Sequence, residues 1–164
     1  MAVLFIMSGL PFSGKSTLSK QISQSFGIKH ISFDEVWIES EKIINFVPTW
    51  ENISQKCEDL VVEELQNNRG VIYDNLGDRP EHRDKMRQLA KNNNADFKII
   101  YINVSRSEVI ARRQENLKLQ SRAQVSDENF NNALNSFEIP TPSENPIIFT
   151  PNQNVEEWML KSIK

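Results

Sequence analysis

Apolar positions along the chain come in two rhythms. Short, unbroken runs occupy residues 2–7 (AVLFIM), 29–32 (KHIS), 70–74 (GVIYD), 98–104 (KIIYINV) and 146–150 (PIIFT). Most do not alternate with polar residues, so they predict strands covered on both faces. Between them apolar residues recur every three or four positions. Ile53, Cys57, Leu60, Val61 and Leu65 form one stripe of a helix predicted over 49–68. Other helices are predicted over 15–26, stopped by Gly27; over 80–92, opened by Pro80; and over 105–119, 126–137 and 155–163. "SDEN" at Ser126 pairs a capping hydroxyl with early acids, a good helix start.

Strands alternating with helices predict an α/β fold with a parallel sheet and right-handed crossovers. In such sheets ligands bind beyond the carboxyl ends of the strands. No internal repeat, low-complexity tract or compositional break divides the 164 residues, so a single domain over 1–164 is expected.

Composition changes this picture little. A net charge of −3 provides no global field for a polyanion and argues against a nucleic-acid partner. The single cysteine, Cys57, excludes an internal disulfide framework and fits a reducing compartment. The opening "MAVLFIM" lacks the basic flank and length of a secretory signal, and no apolar run approaches the ~18 residues of a membrane span. A cytoplasmic protein that does not engage a membrane is expected.

Chemistry enters at the first strand–helix junction. Gly9-Leu10-Pro11-Phe12-Ser13-Gly14-Lys15-Ser16 satisfies G-x-x-x-x-G-K-[ST] between a strand and a helix. The four fixed positions match by accident on the order of 10⁻⁵ to 10⁻⁴ per window. Gly9 and Gly14 let main chain approach phosphates closely, and amides of residues 13–16 converge with the positive end of the helix dipole. Lys15 supplies a mobile charge for the β- and γ-phosphates, Ser16 a hydroxyl for Mg²⁺, and Thr17 follows at the helix start. The expected cofactors are ATP (or GTP) and Mg²⁺.

Asp34, two residues past "HIS", falls on the same sheet edge. Its carboxylate can accept the proton of an attacking hydroxyl and help hold Mg²⁺, or it can cap a helix over 35–44. Asp74, at the end of the third strand, stands where an acid near the metal is expected; the alternative is a turn-forming aspartate. His30 and His82 lack metal-ligand spacing and read as structural. Arg106, Arg112, Arg113 and Arg122 cluster around a polar joint between two helices, the composition of a lid over roughly 106–136. A guanidinium closing over a transferring phosphoryl group stabilises its spread charge, and Arg113 and Arg122 are the candidates favoured for that role. Solvated positions on the helix face would equally accommodate Arg112 and Arg113.

"GLPFSGKST", "SFDEVW", "VIYDNLGDRPEHRDKMRQLA", "IIYINVSRSEVIARR", "SRAQVSDENF" and "FEIPTPSENPIIFT" together resemble the small P-loop kinases grouped with polynucleotide kinase, chloramphenicol phosphotransferase and zeta-toxin-type kinases. The resemblance implies a three-layer P-loop NTPase fold with sheet order 2-3-1-4-5, a nucleotide with Mg²⁺, Asp34 as catalytic base, and a lid with arginines near Arg113 and Arg122. It departs at Trp37, where polynucleotide kinase carries an arginine for the acceptor's phosphate, and at "DNLGDRP", which leaves Asn75 and Asp78 without assigned roles.

The expected activity is therefore phosphoryl transfer from ATP to a hydroxyl of a small-molecule acceptor. The alternatives are a polynucleotide 5′-hydroxyl kinase and a non-catalytic, nucleotide-dependent regulator. The acceptor region is expected in "VWIESEKIINFVPTW" and the turn after the third strand. Trp37, Phe46 and Trp50 there are candidates for a pocket, and Val36, Ile43, Ile44 and Val47 for core packing.

Overall fold

A computed structural model describes residues 1–75, 77–120 and 125–163. Five strands, β1 (Val3–Ser8), β2 (Lys29–Ser32), β3 (Val71–Asp74), β4 (Asp96–Ile102) and β5 (Ile147–Phe149), form one parallel sheet in the order β2-β3-β1-β4-β5. The described helices are α1 (Lys15–Phe26), α2 (Phe33–Glu41), α3 (Trp50–Gln66), α4 (Pro80–Asn92), α5 (Arg106–Leu119), α6 (Asp127–Ser136) and α7 (Val155–Ser162). No helix among the described residues is long and apolar enough to cross a membrane.

The unbroken apolar runs are explained by burial on both faces. Phe5 and Met7 of β1 point into a core shared with Leu18, Ile22, Phe130, Trp158 and Met159 of α1, α6 and α7. Leu4 and Ile6 point the other way, against Phe33, Ile53, Cys57, Val61 and Met86 of α2, α3 and α4. At roughly 25 cal/mol per Å² of apolar area removed from water, the two cores supply the main drive for folding. Helix ends follow the local chemistry: Thr49 and Asn52 form a reciprocal capping box, while Ser105 and Ser126 cap α5 and α6.

One helix starts differently from its expected limits. Ser32, not Asp34, caps α2, accepting from the Glu35 N–H at 3.4 Å. Asp34 thus sits inside the first turn, exposed, with no hydrogen bond to its carboxylate among the described residues. Core packing in the following segment is limited to Val36, Trp37 and Phe46. Ile43, Ile44 and Val47 are exposed, because α2 ends at Glu41 and the chain crosses the surface before α3.

Candidate functional site

The β1–α1 loop is held open by its backbone. Gly14 has φ 101°, a conformation that L side chains rarely adopt. Phe12 also has positive φ, at 61°, and its ring packs edge-on against Phe130 of α6 at 5.9 Å. Ser13 is buried, and its hydroxyl has no partner among the described residues. The Lys15 ammonium lies across the loop, donating to the carbonyls of Gly9 (2.8 Å) and Leu10 (2.9 Å). Burial lowers its pKa to about 8 despite the opposing pull of Asp74, Asp34 and Asp78.

Asp74, at the end of β3, is buried against α1. Ser19 donates to its Oδ2 at 3.2 Å, His30 Nε2 stands 3.5 Å from the same oxygen, and the Ser16 side chain also bonds to it. Burial alone would raise its pKa, but the His30 and Ser16 hydrogen bonds and the Lys15 charge outweigh burial, and the net shift is downward. Asp34 moves the other way: partial burial and the Asp74 charge raise its pKa, with Lys15 opposing. Two carboxylates on one edge are thereby pushed apart in acidity, a pattern that accompanies acid–base function.

The β3–α4 turn closes against the start of the phosphate loop. The Gly77 carbonyl accepts from Ser8 Oγ at 2.8 Å, and a Cβ at Gly77 would lie 2.5 Å from the Met7 carbonyl oxygen, so only glycine fits there. Arg83, fully buried, fastens this turn. It donates to the carbonyls of Gly77 (3.1 Å) and Glu138 (3.0 Å) and makes a two-pronged pair with Glu144 at 2.6 and 3.1 Å. That pair, set against burial and helped by the Thr141 amide, lowers the Glu144 pKa to about 2. Asp78 is also buried, with its carbonyl bonded to the Glu138 N–H (2.7 Å) and its carboxylate 2.8 Å from His82 Nδ1.

Between α3 and α4, over the ends of β1 and β3, lies a cavity of about 310 Å³. Trp50, Glu51, Glu58, Tyr73, Asn75 and His82 line it. Of the aromatics expected at a pocket, only Trp50 reaches it, tilted against Phe33 at 4.4 Å between ring centroids. Trp37 instead packs beside Phe33 and donates to Glu41 at 2.9 Å, and Phe46 packs on the core.

The paired arginines of α5 have different targets. Arg112 donates to the loop carbonyls of Phe12 (3.3 Å) and Ser13 (3.2 Å) and to Glu108 (2.9 Å). Arg113 is bonded to the Val125 carbonyl (2.8 Å) and Asp127 (2.7 Å), with its guanidinium 4.7 Å from the Phe130 ring centroid. Arg106 ties α5 to α6 through the Leu134 carbonyl. Arg122 lies outside the described residues.

The loop, acids and cavity thus share one edge of a 2-3-1-4-5 sheet, the arrangement of P-loop kinases. A family model described as an AAA domain, AAA_33, matches residues 4–140, most of the chain. The chain belongs to the AAA_33 family. Among the relatives of this AAA_33 member is L-seryl-tRNA(Sec) kinase of Methanococcus maripaludis, 26% identical over 143 residues, covering 84% of this chain and 53% of that protein. The chain therefore spans about half the length of that relative. Chaetomium thermophilum Kti12 in complex with ADP-AlF3 shares the fold with TM-score 0.77 and 17% identity, over 97% of this chain and 94% of that one. Mycobacterium tuberculosis APS kinase CysC, with AMPPNP and APS, matches at TM-score 0.67 and 14% identity, over 99% and 95%. The AAA_33 chain thus shares its fold with Kti12 and APS kinase.

Proposed function

We propose that this protein moves the γ-phosphoryl group of ATP (or GTP) to a hydroxyl of a small-molecule acceptor, with Asp34 as general base. The observation carrying this reading is Asp34 itself: Ser32 relieves it of capping, and its pKa is raised, making the carboxylate a stronger base, on the edge shared with Lys15 and Asp74. In the step, Asp34 takes the acceptor's hydroxyl proton as its oxygen bonds to the γ-phosphorus, and the bond to the β–γ bridging oxygen breaks to release the nucleoside diphosphate. Amides of residues 13–16, the Lys15 ammonium and the unpartnered Ser13 hydroxyl hold the triphosphate, with Gly9, Gly14 and Thr17 shaping that grip.

Mg²⁺ fits the residues present, because Ser16 and Asp74 are already joined and the Asp34 carboxylate beside them has no hydrogen bond among the described residues. Bound there by Ser16, Asp34 and Asp74 together with phosphate oxygens, it would supply charge neutralisation. Arg112 touches the loop now. Arg113 and Arg122 would add charge over the transferring group if the lid rearranges, which for Arg113 means leaving Asp127. The kinase in the name of the M. maripaludis relative supports the reaction class. Asp34→Asn should lower transfer about 10²–10⁴-fold while nucleotide affinity by calorimetry stays near wild type. Unchanged turnover would remove Asp34 from this role.

A further inference from the structure

Charged side chains from both helices line the α3–α4 cavity. Its one ammonium, Lys85, is 2.5 Å from Glu58. Its imidazole, His82, is held by Asp78, whose other oxygen lies 3.9 Å from Arg79. The ammonium and the imidazole that line the cavity are therefore each already matched with a carboxylate. Glu51, in the first turn of α3, is the reverse case: it lines the cavity and has no hydrogen-bond or ion-pair partner among the described residues. Next to it the Trp50 ring is 49% exposed, braced from behind by Phe33.

Toward the reacting edge three acids, Asp34, Asp74 and Asp78, act on one cation, Lys15 of the phosphate loop. Asn75 and Gly77 of the cavity wall follow Asp74 and precede Asp78, and Phe33, under Trp50, precedes Asp34. An acceptor carrying a carboxylate or phosphate would meet these acids with no unmatched cation among the described lining residues to receive it, and like charges at close range are strongly disfavoured. A cationic group would meet an unpaired carboxylate and an exposed indole face, which attract it together. A volume of about 310 Å³ sits at the small end of ligand sites, roughly 300–1,000 Å³.

We infer that the acceptor is a small alcohol bearing an ammonium group, seated between α3 and α4 with the ammonium between Glu51 and Trp50 and the hydroxyl toward Asp34. This assignment rests on the kinase reading above, and its test separates the two. Binding is measured by tryptophan fluorescence on Asp34→Asn protein, which is expected to bind without turnover, in the presence of AMPPNP and Mg²⁺. The probes are two size-matched sets: serinol, glycerol and glycerate, then glucosamine, glucose and glucuronate.

In at least one set the aminated member should bind about tenfold or more tighter than its neutral and anionic counterparts. Glu51→Gln should reduce that preference, and Glu51→Lys should abolish it. Equal or better binding of the neutral or anionic members, no binding in either set, or a preference untouched by Glu51→Lys would overturn the assignment. Wild-type transfer from labelled ATP is read separately. Selective amine binding without transfer would count against the kinase reading and leave the cation site standing; transfer confined to a neutral or anionic alcohol would do the opposite.

Discussion

The phosphate loop and the α3–α4 cavity occupy the same edge of one sheet but are made of different material. The loop is main chain: a left-handed Gly14 and a lysine resting on the carbonyls of Gly9 and Leu10. The cavity is side chain: Trp50, Glu51 and Glu58 from α3, Tyr73 from β3, His82 and Lys85 from α4. Every nucleoside triphosphate presents the same tail, so a backbone cradle can be reused without change. Acceptors differ, and only side chains can be exchanged to suit them. On the proposed reading, affinity for the donor and choice of acceptor are separable in this fold, and substitutions can test that directly.

The largest effect should come from the clamp beneath the cavity turn. Arg83→Met leaves Glu144 and the carbonyls of Gly77 and Glu138 without their buried partner and should cost about 3–5 kcal/mol in urea unfolding. The same pair makes an acid limb. Glu144 is held below its unfolded value, from 4.5 to about 2, so its contribution is complete above pH 4.5 and disappears as pH falls through about 2. Glu144→Gln should flatten stability across that window. A cost below about 1 kcal/mol for Arg83→Met would mean the turn is secured by other contacts.

Next comes the loop. Lys15→Met removes the single mobile charge of the cradle and should lower transfer about 10²–10³-fold without altering which acceptors bind the Asp34→Asn background. A change in acceptor preference would show that the two sites are not separable.

The smallest effect is a pH dependence. Lys15 has a pKa lowered to about 8 in the free protein, so it is cationic below that pH and neutral above it. Nucleotide affinity should therefore fall severalfold, up to about tenfold per unit, as pH rises past 8. Lys15→Met should show a flat profile by calorimetry over the same range, whereas a parallel decline would assign the titration to another group.

Much of this was legible in the amino-acid order, for identifiable reasons. Strands buried on both faces read as unbroken apolar runs, and the sheet order follows the order implied by the kinase resemblance. The phosphate loop was legible because its geometry admits few residues. The clamp was not: Arg83 reads as one more polar residue on an amphipathic helix, and its partner lies 61 residues away. His30 and His82 looked structural because their roles toward Asp74 and Asp78 depend on neighbours that only folding supplies. The cavity escaped for the same reason, since Trp37, Phe46 and Trp50 differ in direction rather than in type. Of the adjacent arginines Arg112 and Arg113, periodicity could not tell which faces the loop.

Arg83 also has a mechanical meaning. By bonding Gly77 on one side and Glu138 on the other, it welds the strand of chain leaving α6 to the turn that walls the cavity. The far end of the arginine-bearing arm is therefore anchored to the wall of the α3–α4 cavity. A displacement of the turn would therefore be passed through Arg83 to the chain that follows α6, and the reverse. On the reading proposed above, a filled cavity would thus be felt, through one buried guanidinium, at the foot of that arm.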